Sequence, residues 1–310
     1  MAAQTLAEMS RSLRLYVPDL PIMLAQRMIN DRYQRVMEWK PWAALRATSQ
    51  FLIPDAYTTG TVAVVYGSNQ VTGTNTVWTS AMVGLQFKAN GQAPILTITA
   101  VDVGGQVLTV DAVWGLTSAS AATYMILKNY VTVPTDFKRF VVVADPLRQW
   151  RLRFNIKSSE LNLFDPGRTN VGDPWVLADL SYDTSGVPQY ELWPGPQTKR
   201  VYPYVYIKEA AALVQDTDRP IYPFRGEELV LGALADLCQW PGTADAPNPL
   251  FRASATNLPM FEARFMSAMN NIERQDEEIY LNSWGQDDNS TYPFYPGDAK
   301  FMQNHAFAAI

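Results

Sequence analysis

Between Ala56 and Leu127 the chain carries only three charged residues, Lys88, Asp102 and Asp111, and holds eight of its seventeen glycines together with many Thr and Val. Short runs of β-type composition (Thr61–Tyr66, Val71–Trp78, Pro94–Val103, Gln106–Asp111 and Thr123–Lys128) alternate with turn signals. Gly104-Gly105 sits between two of the runs and predicts a tight hairpin; Asn90-Gly91 marks a second turn. The segment reads as a compact all-β module spanning 56–130. Both of its ends meet chain of a different kind, so the module is inserted into something else.

The flanks are helical. Residues 4 to about 46 read as helix, with a first segment from Gln4 to Tyr16 that ends at the Val17-Pro18 step, because proline pushes its predecessor out of the α region. Beyond Pro18-Asp19, the residues Ile22, Ala25, Ile29, Tyr33 and Val36 recur at spacings of three and four, an amphipathic helix of about five turns stopped or bent by Pro41. Residues 1–50 are therefore taken as the N-terminal part of a helical bundle. Residues 131–225 are mixed and proline-rich, with strands expected at Gln149–Phe154, Gln189–Trp193 and Val201–Ile207 and a turn at Pro194-Gly195-Pro196.

From Gly226 to Trp240 the pattern is helical again. Its apolar stripe is broad enough to imply burial on more than one side. A last helix is expected from Asn257-Leu258-Pro259, with asparagine as cap, carrying Phe261, Phe265, Ala268, Ile272 and Ile279 on its apolar face. Residues 226–284 thus complete the bundle. Residues 285–310 show no periodicity, yet are too aromatic for an ordinary disordered terminus. The fold class expected is α+β: a bundle of N- and C-terminal helices, an inserted all-β module and a mixed, strand-containing middle.

Composition narrows the chemistry. Twenty-five Lys plus Arg against thirty Asp plus Glu leave a net charge of −5, which argues against a surface built to grip phosphates. One histidine, His305, and one cysteine, Cys238, exclude metal sites built on several His or Cys ligands and any intramolecular disulfide. No basic start followed by a long apolar stretch opens the chain, and no run of about 20 apolar residues occurs, so no signal peptide and no membrane span are expected. Asp276-Glu277-Glu278 offers carboxylates for acid/base work, but adjacent helix positions face different ways and a solvated outer face is the expectation. Asp287-Asp288 is too short for a calcium loop. Cys238 reads as core packing and His305 as a surface or contact residue. Val103-Gly104-Gly105 opens a hairpin, not a helix, and so makes no phosphate loop. Trp78, Trp114, Trp175 and Trp193 either line a carbohydrate groove or, as favoured, pack in cores and hairpins. No catalytic set, metal site or cofactor is expected.

The run Gly67-Ser68-Asn69-Gln70-Val71-Thr72-Gly73-Thr74-Asn75-Thr76-Val77-Trp78, continuing through Thr79 to Phe87, resembles a β module that recurs in tail and connector proteins of tailed bacteriophages. The opening stretch Leu15-Tyr16-Val17-Pro18-Asp19, then Ile29-Asn30-Asp31-Arg32-Tyr33 and Lys40-Pro41-Trp42, resembles the N-terminal part of phage head-to-tail adaptor proteins. Tyr190-Glu191-Leu192-Trp193-Pro194 and Asp216-Thr217-Asp218-Arg219-Pro220, before a Leu-rich helix, are similar to the same family.

The likeness implies a virion structural protein at the head–tail interface, assembled in the host cytoplasm. It would be a homo-oligomeric ring, twelve copies matching the portal protein, that joins portal to tail or further connector proteins while DNA passes through its channel without tight binding. The tail beyond Trp284 lies outside the likeness, but its aromatic content makes Trp284, Tyr292, Phe294, Tyr295, Phe301 and Phe307 the expected contacts to portal or neighbouring subunit. The alternative is a phage tail protein that binds host-surface glycan through its β module.

Overall fold

A capping box opens the first helix of the computed structural model, which describes residues 3–89, 95–183, 185–244 and 246–284. Thr5 Oγ1 accepts from the Glu8 N–H (3.2 Å) and Glu8 Oε2 accepts from the Thr5 N–H (2.8 Å), so two of the helix's orphan donors are satisfied reciprocally. Helix α1 (Leu6–Arg14) buries Leu6, Met9 and Leu13. It ends two residues before Tyr16. Helix α2 (Ile22–Trp39) has the predicted five turns and buries Ala25, Ile29, Tyr33 and Val36. Ile22, expected on that stripe, is exposed, while Arg32 and Met37 join the buried face. The helix stops at Trp39 because Lys40, preceding Pro41, is held extended. Helix does not continue to residue 46: Ala43–Leu45 make one 3₁₀ turn and Arg46 begins strand β1 (Arg46–Ile53). The last residues of the 1–50 segment are therefore β-structure.

The described chain divides into two compact units, one from Met1–Arg46 with Ile207–Ile310 and one from Ala47–Tyr206. Within the second, a seven-stranded sheet is formed by β2 (Thr61–Val64), β3 (Gln70–Thr74), β4 (Gln86–Ala89), β5 (Leu96–Asp102), β6 (Val107–Val110), β7 (Ala119–Ala122) and β8 (Tyr124–Leu127), in the order β7-β2-β3-β6-β5-β4-β8. The two edge strands are consecutive in sequence and separated only by Thr123. The first half of this run pairs with β2 and the second with β4, so one chain segment joins both edges and the sheet curls toward a barrel. Its core holds Val62, Trp78, Phe87, Leu108, Trp114 and Tyr124.

The predicted run 71–78 breaks at Asn75, which has φ 58° and turns Trp78 inward, where its indole N–H donates to Tyr124 Oη at 3.0 Å. At the Gly104-Gly105 hairpin the left-handed residue is Gln106 (φ 48°), not a glycine. The glycines serve another end: Asp102 Oδ1 accepts from both of their N–H groups, and a Cβ on Gly105 would lie 2.5 Å from Asp102 Oδ2. Asn90-Gly91 lies outside the described residues. Strands β4 and β7 have no counterpart in the sequence reading. The first is four residues buried throughout, without alternation, and the second is Ala-Ser-Ala-Ala, which has little intrinsic strand preference.

The rest of this unit is a pair of four-stranded sheets. Strands β9 (Tyr130–Thr132), β10 (Phe137–Asp145), β11 (Trp150–Arg151), β12 (Arg153–Lys157), β13 (Val176–Tyr182), β14 (Pro188–Trp193) and β15 (Arg200–Lys208) join β1 in the orders β1-β15-β10-β11 and β12-β13-β14-β9, with helix α3 (Ser158–Phe164) crossing between the parallel pair β12 and β13. An aromatic core fills the space they share: Phe51 stacks on Tyr204 at 4.4 Å, and Phe140 meets Tyr190 edge-on at 4.8 Å. The single strand expected at 149–154 is two, in different sheets, and Pro194-Gly195-Pro196 passes the chain from one sheet to the other instead of closing a hairpin. The curled sheet is not a free-standing insertion. Gln86 Oε1 accepts from the Asn129 N–H (3.2 Å) and Lys88 Nζ donates to the Arg168 carbonyl (2.7 Å), which is why both faces of β4 are buried.

Helix α4 (Glu227–Leu237) is buried on nearly every side, as its broad stripe predicted, and packs against α1, α2 and the final helix. The Asn-Pro cap occurs one helix earlier than expected: Asn248 caps α5 (Pro249–Arg252), and α6 (Ser254–Trp284) already runs when Pro259 is reached at its sixth position. Phe261, Phe265, Met269 and Ile272 form its buried face; Met269, not Ala268, fills the third place, and the Ile279 side chain lies outside the described residues. The protein is α+β, with N- and C-terminal helices α1, α2, α4 and α6 packed together and central β sheets, one of them curled.

Candidate functional site

The expected contact residues Tyr292, Phe294, Tyr295, Phe301 and Phe307, together with His305 and Asp287-Asp288, lie outside the described residues. Trp284 closes α6, but its side chain lies outside them too. Asp276 corrects the reading of the acidic run as a solvated face. It is buried, its Oδ1 accepts from the Ala43 N–H at 2.8 Å and its Oδ2 pairs with Lys40 Nζ at 3.5 Å, so it ties α6 to the 3₁₀ turn. Glu277 and Glu278 are exposed as expected. Cys238 is buried, and that burial pushes its thiol pKa up, the opposite of an activated nucleophile. Trp78 and Trp114 are core residues of the curled sheet, so they line no groove; Trp175 and Trp193 form an edge-on pair at 5.3 Å in the sandwich, both partly exposed.

A dense polar cluster surrounds the loop after α3. Asp165 is 3% exposed, and its two oxygens accept from the N–H groups of Thr169 (2.7 Å) and Asn170 (2.9 Å), the Thr169 hydroxyl (3.0 Å) and the Trp193 indole (3.1 Å). Beside it Arg168 Nε donates to Glu191 Oε1 at 2.6 Å and Nη2 to Oε2 at 3.1 Å; Ser158 Oγ also donates to Oε2, at 2.8 Å. Burial works to raise the Asp165 pKa, but the ring of donors outweighs it and holds the group at about 2.

A carboxylate lowered in the folded state stabilises above its unfolded pKa, and that contribution is lost as pH falls from near 3.8 through about 2. In urea titrations of the wild-type protein, about 2 kcal/mol of stability is expected to disappear across this window on account of Asp165. Asp165→Asn should flatten that part of the pH profile. An unchanged slope in the variant would show that Asp165 is not its source.

Large apolar side chains also stand in solvent. In the helical unit Leu15 and Tyr16 occupy the turn between α1 and α2, and Met23 the first turn of α2. Tyr16 packs edge-on against Phe261 at 6.1 Å, which brings this turn beside the first half of α6, where Met260 and Met266 are exposed. In the β unit Leu163 is 83% and Phe164 75% exposed at the end of α3. Sequence reasoning missed these two, although a helix of seven residues that buries only Leu161 leaves its other apolar side chains without cover.

Among the described residues no group of His, Cys, Asp and Glu is arranged to hold a metal ion, and no helix is long and apolar enough to cross a membrane. Comparison with protein-family models and with curated proteins gives no match.

Proposed function

We propose that the chain is a virion structural protein, a head-to-tail adaptor that forms a ring of identical copies below the portal and joins it to the tail. The observation that carries the reading is the exposed apolar surface on both units, Leu15, Tyr16 and Met23 on one and Leu163 and Phe164 on the other. Such side chains are costly in a lone soluble subunit, and a ring built by repeating one heterologous contact needs two distinct faces on every copy. The order of elements also supports it: helices from both ends of the chain pack together while a long β segment is inserted between them in sequence. In this reading twelve copies match the portal, the net charge of −5 keeps DNA moving through the channel without tight binding, and no cofactor takes part. The glycan-binding alternative loses Trp78 and Trp114, which are buried in the β core.

Sedimentation and electron microscopy of the purified full-length chain, alone and mixed with its portal protein, test this. Closed rings, or monomers that assemble on the portal, are expected. A chain that neither rings nor joins portal at micromolar concentration would end the reading. Deleting residues 285–310, which carry Tyr292, Phe294, Tyr295, Phe301 and Phe307, is expected to weaken ring or portal association at least about tenfold while leaving the helical circular-dichroism signal and melting midpoint in place. Normal portal association by the truncated protein would remove the tail from the contact.

A further inference from the structure

Lys88 is 4% exposed, on a strand whose two faces are both covered. Its ammonium donates one hydrogen bond, to the Arg168 carbonyl, and among the described residues no carboxylate comes within the 4.0 Å of an ion pair. Asp165 acts on it electrostatically from farther away, but both Asp165 oxygens are already taken by Thr169, Asn170 and Trp193. A buried ammonium with donors to spare and no carboxylate in contact among the described residues is costly, and an anion brought against it relieves part of that cost.

Lys88 lines a cleft of about 350 Å³ together with Thr58, Thr123, Thr169, Tyr124 and Met125. The Thr169 hydroxyl is committed to Asp165, whereas those of Thr58 and Thr123 make no hydrogen bond among the described residues. One cation and two free hydroxyl donors therefore meet at a wall that is partly apolar.

We propose that this cleft binds a small aliphatic carboxylate. The Lys88 ammonium supplies the charge, Thr58 and Thr123 donate to the oxygens, and Met125, cross-strand from Lys88, flanks the hydrocarbon stem together with Val171. A single positive charge suits a monoanion, while a phosphate dianion would keep half its charge uncompensated in the cleft. The site stands apart from the adaptor reading and does not depend on assembly.

The test uses the full-length chain labelled with ¹³C at its methionine methyls, the Met125 resonance being assigned through Met125→Leu. Butyrate is expected to shift that resonance saturably, and acetate to do so more weakly because it lacks the stem. Lys88→Gln should weaken butyrate binding about tenfold or more, the scale of one charge-assisted hydrogen bond. Thr123→Val, at an exposed rim position where the fold is not at stake, should weaken it about threefold. Absence of a saturable shift, equal affinity in Lys88→Gln with the other methionine signals unmoved, or tighter binding of inorganic phosphate than of butyrate would each overturn the proposal.

Discussion

Glu191→Ala is expected to destabilise the β unit by about 4 kcal/mol, enough to unfold it at moderate urea. Glu191 is 1% exposed and takes both arms of the Arg168 guanidinium, itself largely buried, as well as the Ser158 hydroxyl. Removing the carboxylate leaves a guanidinium that still donates to the Asp165 and Ser158 carbonyls but has lost its counter-charge. The cost is that of an unpaired charge in a site from which water is excluded, not that of a surface ion pair. Arg168 has φ 48°, a left-handed backbone that the loop keeps only while these contacts define it. Loss of the pair should therefore also loosen the Asp165–Asn170 segment. Glu191→Gln preserves the acceptor at one oxygen and is expected to cost about half as much. Equilibrium urea unfolding followed by tryptophan fluorescence measures both, and a Glu191→Ala cost below about 1 kcal/mol would show the pair to be dispensable.

Arg32→Ala is expected to cost the helical unit about 3 kcal/mol. Arg32 comes from α2 and reaches across α4, where it donates to the Gly232 carbonyl (2.9 Å) and to both oxygens of Asp236 (3.1 Å each), then to Glu262 of α6 (3.1 Å). Its guanidinium carbon also lies 4.7 Å from the centre of the Phe265 ring. Gly232 makes this possible, since a Cβ there would stand 2.8 Å from Arg32 Cγ and Nε. One side chain thus holds three helices.

Burial already raises the Asp236 carboxyl above its ordinary pKa, with Arg32 and Arg35 acting against that rise. Without Arg32 the group rises further. A carboxyl raised in the folded state binds its proton more readily there than when unfolded, so the variant's deficit should shrink as pH is lowered from neutral toward the carboxylate range. Thermal melts across that range check the sign; a deficit that grows on acidification would contradict the assigned role.

The elements that were legible are those whose pattern is local. The stripe Ala25, Ile29, Tyr33 and Val36 repeats every three or four residues over five turns, and Pro41 ends it by its own geometry. The all-round apolar run of α4 announced burial on several sides. The β character of 56–127 followed from composition alone. What was not legible depends on neighbours distant in sequence. Strand β7 is Ala-Ser-Ala-Ala, and only its pairing with β2 makes it a strand. Asp276 looked like one member of a charged run until the Ala43 N–H and Lys40 were found against it, more than two hundred positions away in the chain. Asn257-Leu258-Pro259 and Asn248-Pro249 both read as cap signatures, yet only Asn248 starts a helix, because Asn257 already lies inside α6.

By itself, then, the order of residues determined that helices flank a charge-poor β segment, that no intramolecular disulfide or multi-histidine centre is available within the chain, and that Cys238 belongs to a core. Only tertiary structure decided that the curled sheet and the sandwich form one unit, that Lys88 is buried with no ion pair among the described residues, and that Arg32 and Glu191 are internal charges. The reason is physical. Periodicity records which side of an element avoids water, whereas the fate of a charged side chain depends on the desolvation and counter-charge that distant segments supply.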